Sequence, residues 1–309
     1  MAAFRKRLRR LGRKVTFGTL WLIAASAMCF GPKAVRRVGS AVGRLNRRLT
    51  RLACPRLVDD VAVVLDRDRA DAERLLTDAC RVNDRAVLEV FALSLPWTKV
   101  DKMIDGCEVE NVEDLRLLSD AGRGAVLLGM HMGNGILMAA ALARAGLPVS
   151  VAYRESRKMA TGFLGRVLGR LGLEPIHLEQ ANPAAGSRRM FKALREGKLV
   201  YVLMDQGSKN HGHEVMFLGK QLYMPDGVIR LVRRSVVPLI PVLPEAAEPV
   251  WLFRVRKPVM LAEDDAEALR QLVVLMEDQI RAYPELWSWH HRRWRHQALA
   301  LESPVCERV

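Results

Sequence analysis

Apolar and polar positions change rhythm along the chain. Residues 15–32 (VTFGTLWLIAASAMCFGP) carry no charge at all. Residues 57–95, by contrast, mix Asp, Arg, Leu and Ala at helical spacing (DDVAVVLDRDRADAERLLTDAC), which predicts amphipathic helices whose alternating charges form a solvated face. From residue 107 short apolar runs take over: AVLLGM at 125, VSVAY at 149, LVYVLM at 199 and PLIPVL at 238. Their shortness and bounding turns predict buried strands, with helix candidates at 136–145, 157–172, 186–196 and 226–235 between them. The last element, LRQLVVLMEDQIRAYPELWSWHHRRWRHQ, reads as a helix interrupted near Pro284 and followed by an aromatic and basic segment. The expected fold is α/β, with a mostly parallel central sheet flanked by helices and an N-terminal membrane-associating helix. No internal repeat or low-complexity linker is visible. The expected division is an N-terminal anchor over 1–56 and a main domain over 57–309, with a helical lead-in to residue 110.

Charge sharpens this division. The net charge is +15 over 309 residues, but residues 1–56 hold 15 Lys plus Arg and no acid, leaving 34 basic against 34 acidic residues in the remainder. A nucleic-acid footprint is therefore not expected, because the basic excess is confined to an end that also contains an apolar plug. That plug, with Trp21, Leu22 and Ile23 at its centre, lies between two cationic collars. As a helix, roughly 16 residues reach about 24 Å, short of the hydrocarbon core of about 30 Å. A helix embedded in an anionic cytoplasmic leaflet fits better than a span. A cleaved signal peptide and a core helix with a basic tail are the competing readings; no small-x-small site follows the plug. The five cysteines are scattered without metal-ligand spacing and read as reduced thiols. No metal or bound cofactor is expected.

Candidate chemistry gathers where strands end. The stretch LLGMHMGNGILM at 127–138 puts His131 at the end of a strand, before a glycine-rich turn that opens a helix. Gly133, Asn134 and Gly135 would let the backbone approach a ligand, and helix N-terminal amides can face an oxyanion. Asp205-Gln206 follows a second strand, so both clusters belong to one shared site beyond the carboxyl ends of the sheet. A base of this kind needs a carboxylate to orient it, and none occurs between Asp120 and Glu155.

With these residues in view the chain resembles a known family. His131-Met-Gly-Asn134, Tyr153-Arg154, Asp205-Gln206, Phe217-Leu218-Gly219 and Trp289-His-His-Arg292-Arg-Trp294 recur in this order in the late acyltransferases of lipid A biosynthesis. These are the lauroyl and myristoyl transferases of the lysophospholipid acyltransferase superfamily. The resemblance implies a membrane-bound enzyme on the cytoplasmic face of a bacterial inner membrane. It would move a fatty acyl chain from a thioester of acyl carrier protein or coenzyme A, a cosubstrate, to a hydroxyl of a lipid or glycolipid. It also implies a dyad in which the histidine is followed at the fifth position by Glu or Asp, and here that position is Ile136.

Ile136 can neither fix an imidazole tautomer nor stabilise an imidazolium. Three outcomes are open: another carboxylate substitutes, a backbone carbonyl orients the ring at a lower rate, or the protein has become a lipid-binding or regulatory homologue. Asp205 is the leading substitute and is expected to be catalytic with His131; Glu155 and Glu214 follow. Gly133, Asn134, Arg154, Gln206, Arg292 and Arg293 are candidate substrate-binding residues. Arg154 is expected to hold a phosphate, since a guanidinium pairs with it bidentately. Arg292 and Arg293, interleaved with Trp289 and Trp294, suit a membrane interface or acidic headgroups; a tail packing its tryptophans on the core is the alternative.

Overall fold

The computed structural model of the chain describes residues 2–155, 159–179, 182–208 and 212–289. Five helices come first: α1 (Ala2–Met28), α2 (Pro32–Ala53), α3 (Leu57–Leu65), α4 (Arg69–Leu93) and α5 (Val100–Ile104). Strands and helices then alternate through β1 (Cys107–Glu110), α6 (Glu113–Asp120), β2 (Ala125–Gly129), α7 (Gly135–Arg144), β3 (Val149–Tyr153) and α8 (Phe163–Arg170). Next come β4 (Glu174–His177), α9 (Pro183–Arg195), β5 (Leu199–Leu203) and a hairpin of β6 (His213–Phe217) and β7 (Lys220–Met224). The series closes with α10 (Gly227–Ser235), β8 (Leu239–Ala246), β9 (Trp251–Val255), α11 (Asp265–Ala282) and a short 3-10 turn at Pro284–Leu286.

The architecture is mixed α/β, with a mostly parallel central sheet flanked by helices. Its seven strands run in the order β1-β9-β8-β2-β5-β3-β4. The four apolar runs of the sequence form its centre, β8-β2-β5-β3, all mutually parallel. Every residue of β2 is buried, as expected of a strand covered on both faces, and this is why these runs read continuously apolar and not alternating. β9 runs antiparallel to β8, and β1 is parallel to β9, so these two strands oppose the rest. Neither strand, nor β4 or the hairpin, is visible in the sequence pattern. They are short, and charged side chains such as Glu108 and Arg254 interrupt them.

The N-terminal segment is folded onto the main domain by one face. α2 buries Val35, Gly39, Gly43 and Arg47, one residue every four, as a helix requires to present a single stripe. The two glycines let α2 lie close against α4. A Cβ on Gly43 would come within 2.4 Å of the Cys80 carbonyl oxygen, and one on Gly39 within 2.7 Å of the Arg85 Cα. Arg47, buried, donates to Glu73 at 2.6 Å. The basic collar after Pro32 is thus no free arm.

α1 places Phe17 against Phe91 and Phe163, with centroids 5.1 and 5.2 Å away; each such aromatic pair adds about 0.5–1.5 kcal/mol beyond area burial. Ala24 and Ala27 are buried, Trp21 stands edge-on to Trp97, and Ile23 is partly covered. Of the three residues at the centre of the plug, only Leu22 is exposed. Among the described residues no helix is long and apolar enough to cross a membrane.

The expectation that the charges of 57–95 all face water fails on α4. Arg85 and Glu89 are buried there, with the neutral Asn83 beside them, because α4 is covered by α2 on one side and its side chains reach Trp251 of the sheet on the other. The sequence periodicity identifies the helix but not the depth of its polar stripe.

Candidate active site

Register brings His131 and Asp205 together. β2 and β5 pair so that Gly129 lies opposite Leu203, and each polar residue follows two positions beyond its strand. They therefore emerge side by side at the carboxyl edge of the sheet, where sites of such sheets form. The imidazole Nδ1 lies 2.6 Å from Asp205 Oδ1, and the same oxygen accepts the His131 backbone N–H at 3.0 Å. The other oxygen, Oδ2, accepts the indole N–H of Trp287 at 2.9 Å.

Asp205 is wholly buried, while the imidazole is 23% exposed. Asp205 is thus an acceptor toward the ring, the His131 backbone and the Trp287 indole. An ionised carboxylate only accepts, so the proton of a neutral His131 belongs on Nδ1, and Nε2 carries the lone pair. Nε2 is the atom turned outward: the exposed Gln206 side chain approaches it at 3.1 Å.

The chain after the 3-10 turn straps this corner. Met132 and Trp287 form an antiparallel bridge. Ser288 N–H donates to the His131 carbonyl at 3.0 Å and Gly133 N–H to the Leu286 carbonyl at 3.1 Å. Trp287 and Trp289 are buried edge to face, with centroids 4.7 Å apart. Trp289 therefore packs on the core, which corrects its reading as a membrane-interface residue. Arg292, Arg293 and Trp294 lie outside the described residues.

The glycines of the turn have internal reasons. A Cβ on Gly135 would stand 2.4 Å from the Tyr201 hydroxyl, and one on Gly129 2.3 Å from it. Gly133 has φ 61°, and its Cβ would press on Phe253 and Pro244 at 3.2 Å. Protein side chains stand where a Cβ on these residues would lie, so the fold itself requires glycine here. The Tyr201 phenol is fully enclosed; burial pushes its pKa up, and the nearby Asp205 charge adds to the rise.

Asn134 is likewise occupied from both ends. Its carbonyl caps α7 by accepting the Leu137 N–H at 3.2 Å, and its amide donates to Glu89 Oε2 at 2.8 Å. Glu89, wholly buried, also accepts the Trp251 indole N–H at 2.7 Å and faces Arg85 Nε at 3.3 Å and Arg36 Nε at 3.5 Å. Burial pulls the Arg85 guanidinium below its ordinary pKa, and Glu89 pushes it back. Arg85 also lies over the Trp251 ring, 4.2 Å from its centroid. Asn134, expected to touch substrate, is buried with both ends of its side chain engaged within the protein. Glu89 and Trp287 escaped the sequence reading altogether, since nothing in a charged helical run or a tryptophan-rich tail marks which side chain reaches a turn distant in the chain.

Arg154 is exposed directly after β3, the strand beyond β5, and so shares the edge with His131 and Asp205. The other candidate acids have partners of their own. Glu155 accepts the Gly162 N–H at 2.6 Å, and Glu214 on β6 takes the Gln221 amide. Ile136 is partly buried in the first turn of α7 and packs against the core.

A mostly parallel sheet carrying an outward-facing imidazole backed by a buried carboxylate presents a group that can exchange a proton. The chain matches the family model for bacterial lipid A biosynthesis acyltransferases over residues 1–296. It belongs to this family, whose activity is acyl transfer of the lipid A type and whose chemistry calls for a lipid or glycolipid acceptor and an acyl donor. No curated protein matches the chain.

Proposed function

We propose that the protein transfers a fatty acyl chain from an acyl thioester, on acyl carrier protein or coenzyme A, to a hydroxyl of a lipid A-type acceptor. It would do so at the cytoplasmic face of a bacterial inner membrane, with no metal or bound cofactor. The observation that carries this reading is the 2.6 Å contact of His131 Nδ1 with buried Asp205, which leaves Nε2 as the base. The acceptor hydroxyl replaces the Gln206 amide at Nε2 and gives up its proton there as its oxygen attacks the thioester carbonyl. A C–O bond forms, the C–S bond breaks, and the imidazolium returns the proton to the departing thiolate. Asp205 stabilises the imidazolium between these two steps without itself taking the proton.

The Gly135 and Ile136 amides, ahead of the capped Leu137, are suited to the oxyanion, because a helix N-terminus carries partial positive charge. Arg154, exposed at the same edge, is assigned a phosphate of acceptor or donor. The rival reading, a lipid-binding or regulatory homologue without catalysis, rests on Ile136 where the resemblance implies an acid. The contact of Asp205 with His131 supplies the missing carboxylate and favours the enzyme. The test is release of free thiol from an acyl thioester, with the acceptor's gain of one acyl mass read by mass spectrometry. Transfer by the wild type and none by His131→Ala is expected; no transfer to any lipid A-type acceptor from either donor would transfer the case to the binding protein.

A further inference from the structure

The outer face of α2 divides into two stripes. Leu45, Leu49 and Leu52 are 58%, 60% and 82% exposed, and their spacing of four and three residues aligns them along one line of the helix. Lys33, Arg37, Arg44, Arg48 and Arg51 are also exposed and follow a neighbouring line. The stripe packed on α4, Val35-Gly39-Gly43-Arg47, lies on the opposite side. Leucines in such a row are not needed by the fold, since the inner stripe already docks the helix. No acidic residue occurs anywhere in residues 1–56 to neutralise the arginines.

We infer that this outer face of α2 lies flat on an anionic lipid bilayer, with its leucines at the acyl boundary and its arginines on the headgroups. The partner follows from the two stripes together. A row of arginines alone would suit any polyanion, but three exposed leucines beside it gain nothing from a nucleic-acid backbone and gain burial in a bilayer. Trp21 and Ile23, first expected to enter the lipid with Leu22, are partly covered by the protein, while Leu22 stays exposed; α2 adds a surface of its own. The inference rests on the reading of a lipid acceptor at a membrane, and it adds which surface meets that membrane.

The experiment is sedimentation of the full chain with vesicles of zwitterionic lipid alone and of zwitterionic lipid carrying one third phosphatidylglycerol. The wild type should pellet with the anionic vesicles at least tenfold more than with the neutral ones. The double substitution Leu49→Glu, Leu52→Glu should cut pelleting on anionic vesicles tenfold or more. Val274→Glu, at an exposed position on α11, should leave it unchanged, and thermal melting should be alike in all three. Wild-type pelleting by the double variant would overturn the assignment, as would retention on duplex DNA without vesicle binding. Because no acyl transfer enters the readout, an inactive enzyme that binds through α2 would refute the proposed reaction and leave this surface standing.

Discussion

Two buried carboxylates flank the turn after β2, and they hold it to different ends. Asp205 receives the His131 ring, the His131 backbone and the Trp287 indole, and one of these groups, the imidazole, reaches solvent. Glu89 receives the Asn134 amide, the Trp251 indole and the Arg85 guanidinium, all of them enclosed. Both acids are desolvated, so both must be satisfied by donors or be very costly. The difference lies in what the donor can do next: a ring that faces the cleft can exchange a proton with substrate, while an amide sealed between helix and sheet can only fix a position. In the proposed reaction one carboxylate serves the chemistry and the other its scaffold.

This contrast can be broken most strongly at His131. His131→Ala should lower turnover by about 10²–10⁴-fold, the usual contribution of a general base, while the protein remains folded and loses no more than about 1–3 kcal/mol from the bond it takes from Asp205. A fall of that size with a melt lowered by no more than about ten degrees is the expected pattern in purified protein. Glu89→Gln should show the reverse weighting. Removing the charge that faces Arg36 and the buried Arg85 takes away the nearest counter-charge of Arg85, for a stability loss of about 3–5 kcal/mol, read by denaturant unfolding. The surviving folded fraction should keep turnover within about tenfold, since the amide oxygen still accepts from Asn134. Collapse of turnover in folded Glu89→Gln protein would erase the distinction between the two acids.

A finer probe is Trp287→Phe, which removes one donor from Asp205 and keeps the ring in its place. A hydrogen bond to a charged group is worth about 1.5–3 kcal/mol, so turnover should fall roughly tenfold to a hundredfold, with KM for the acyl donor unchanged. The smallest effect is expected from Ile136→Glu. Since Asp205 already orients the imidazole, a second carboxylate beside it would be driven toward protonation, and turnover should stay level or fall a few-fold. A rise of tenfold or more would move the supporting role to position 136.

Much of the site was legible because the same run of residues sets both strand and edge. AVLLG and LVYVL are continuous apolar runs because β2 and β5 are buried on both faces, and the polar residue that ends each run has to appear at the sheet's edge. Their adjacency follows once the strands are parallel neighbours in register. The reversal of β9 and β1 was not legible, since WLFRV and CEVE alternate too briefly to stand out from loop. Glu89 was hidden for another reason: Arg85 and Glu89 at a four-residue spacing look the same whether solvent or Trp251 covers them. The glycines were visible but their packing reason was not, because a Cβ excluded by Tyr201 leaves the same letter in the sequence as a Cβ excluded by ligand.

The central claim is that Asp205 supports the base of this enzyme. Turnover of purified Asp205→Asn against wild type, with the same thioester and acceptor, measures it most directly. An asparagine can offer its amide to Nδ1 and so favour the wrong tautomer, and the corresponding change in a serine protease triad lowers turnover about 10⁴-fold. The account predicts a loss of that order in a protein that still folds. Turnover within a few-fold of wild type would contradict it.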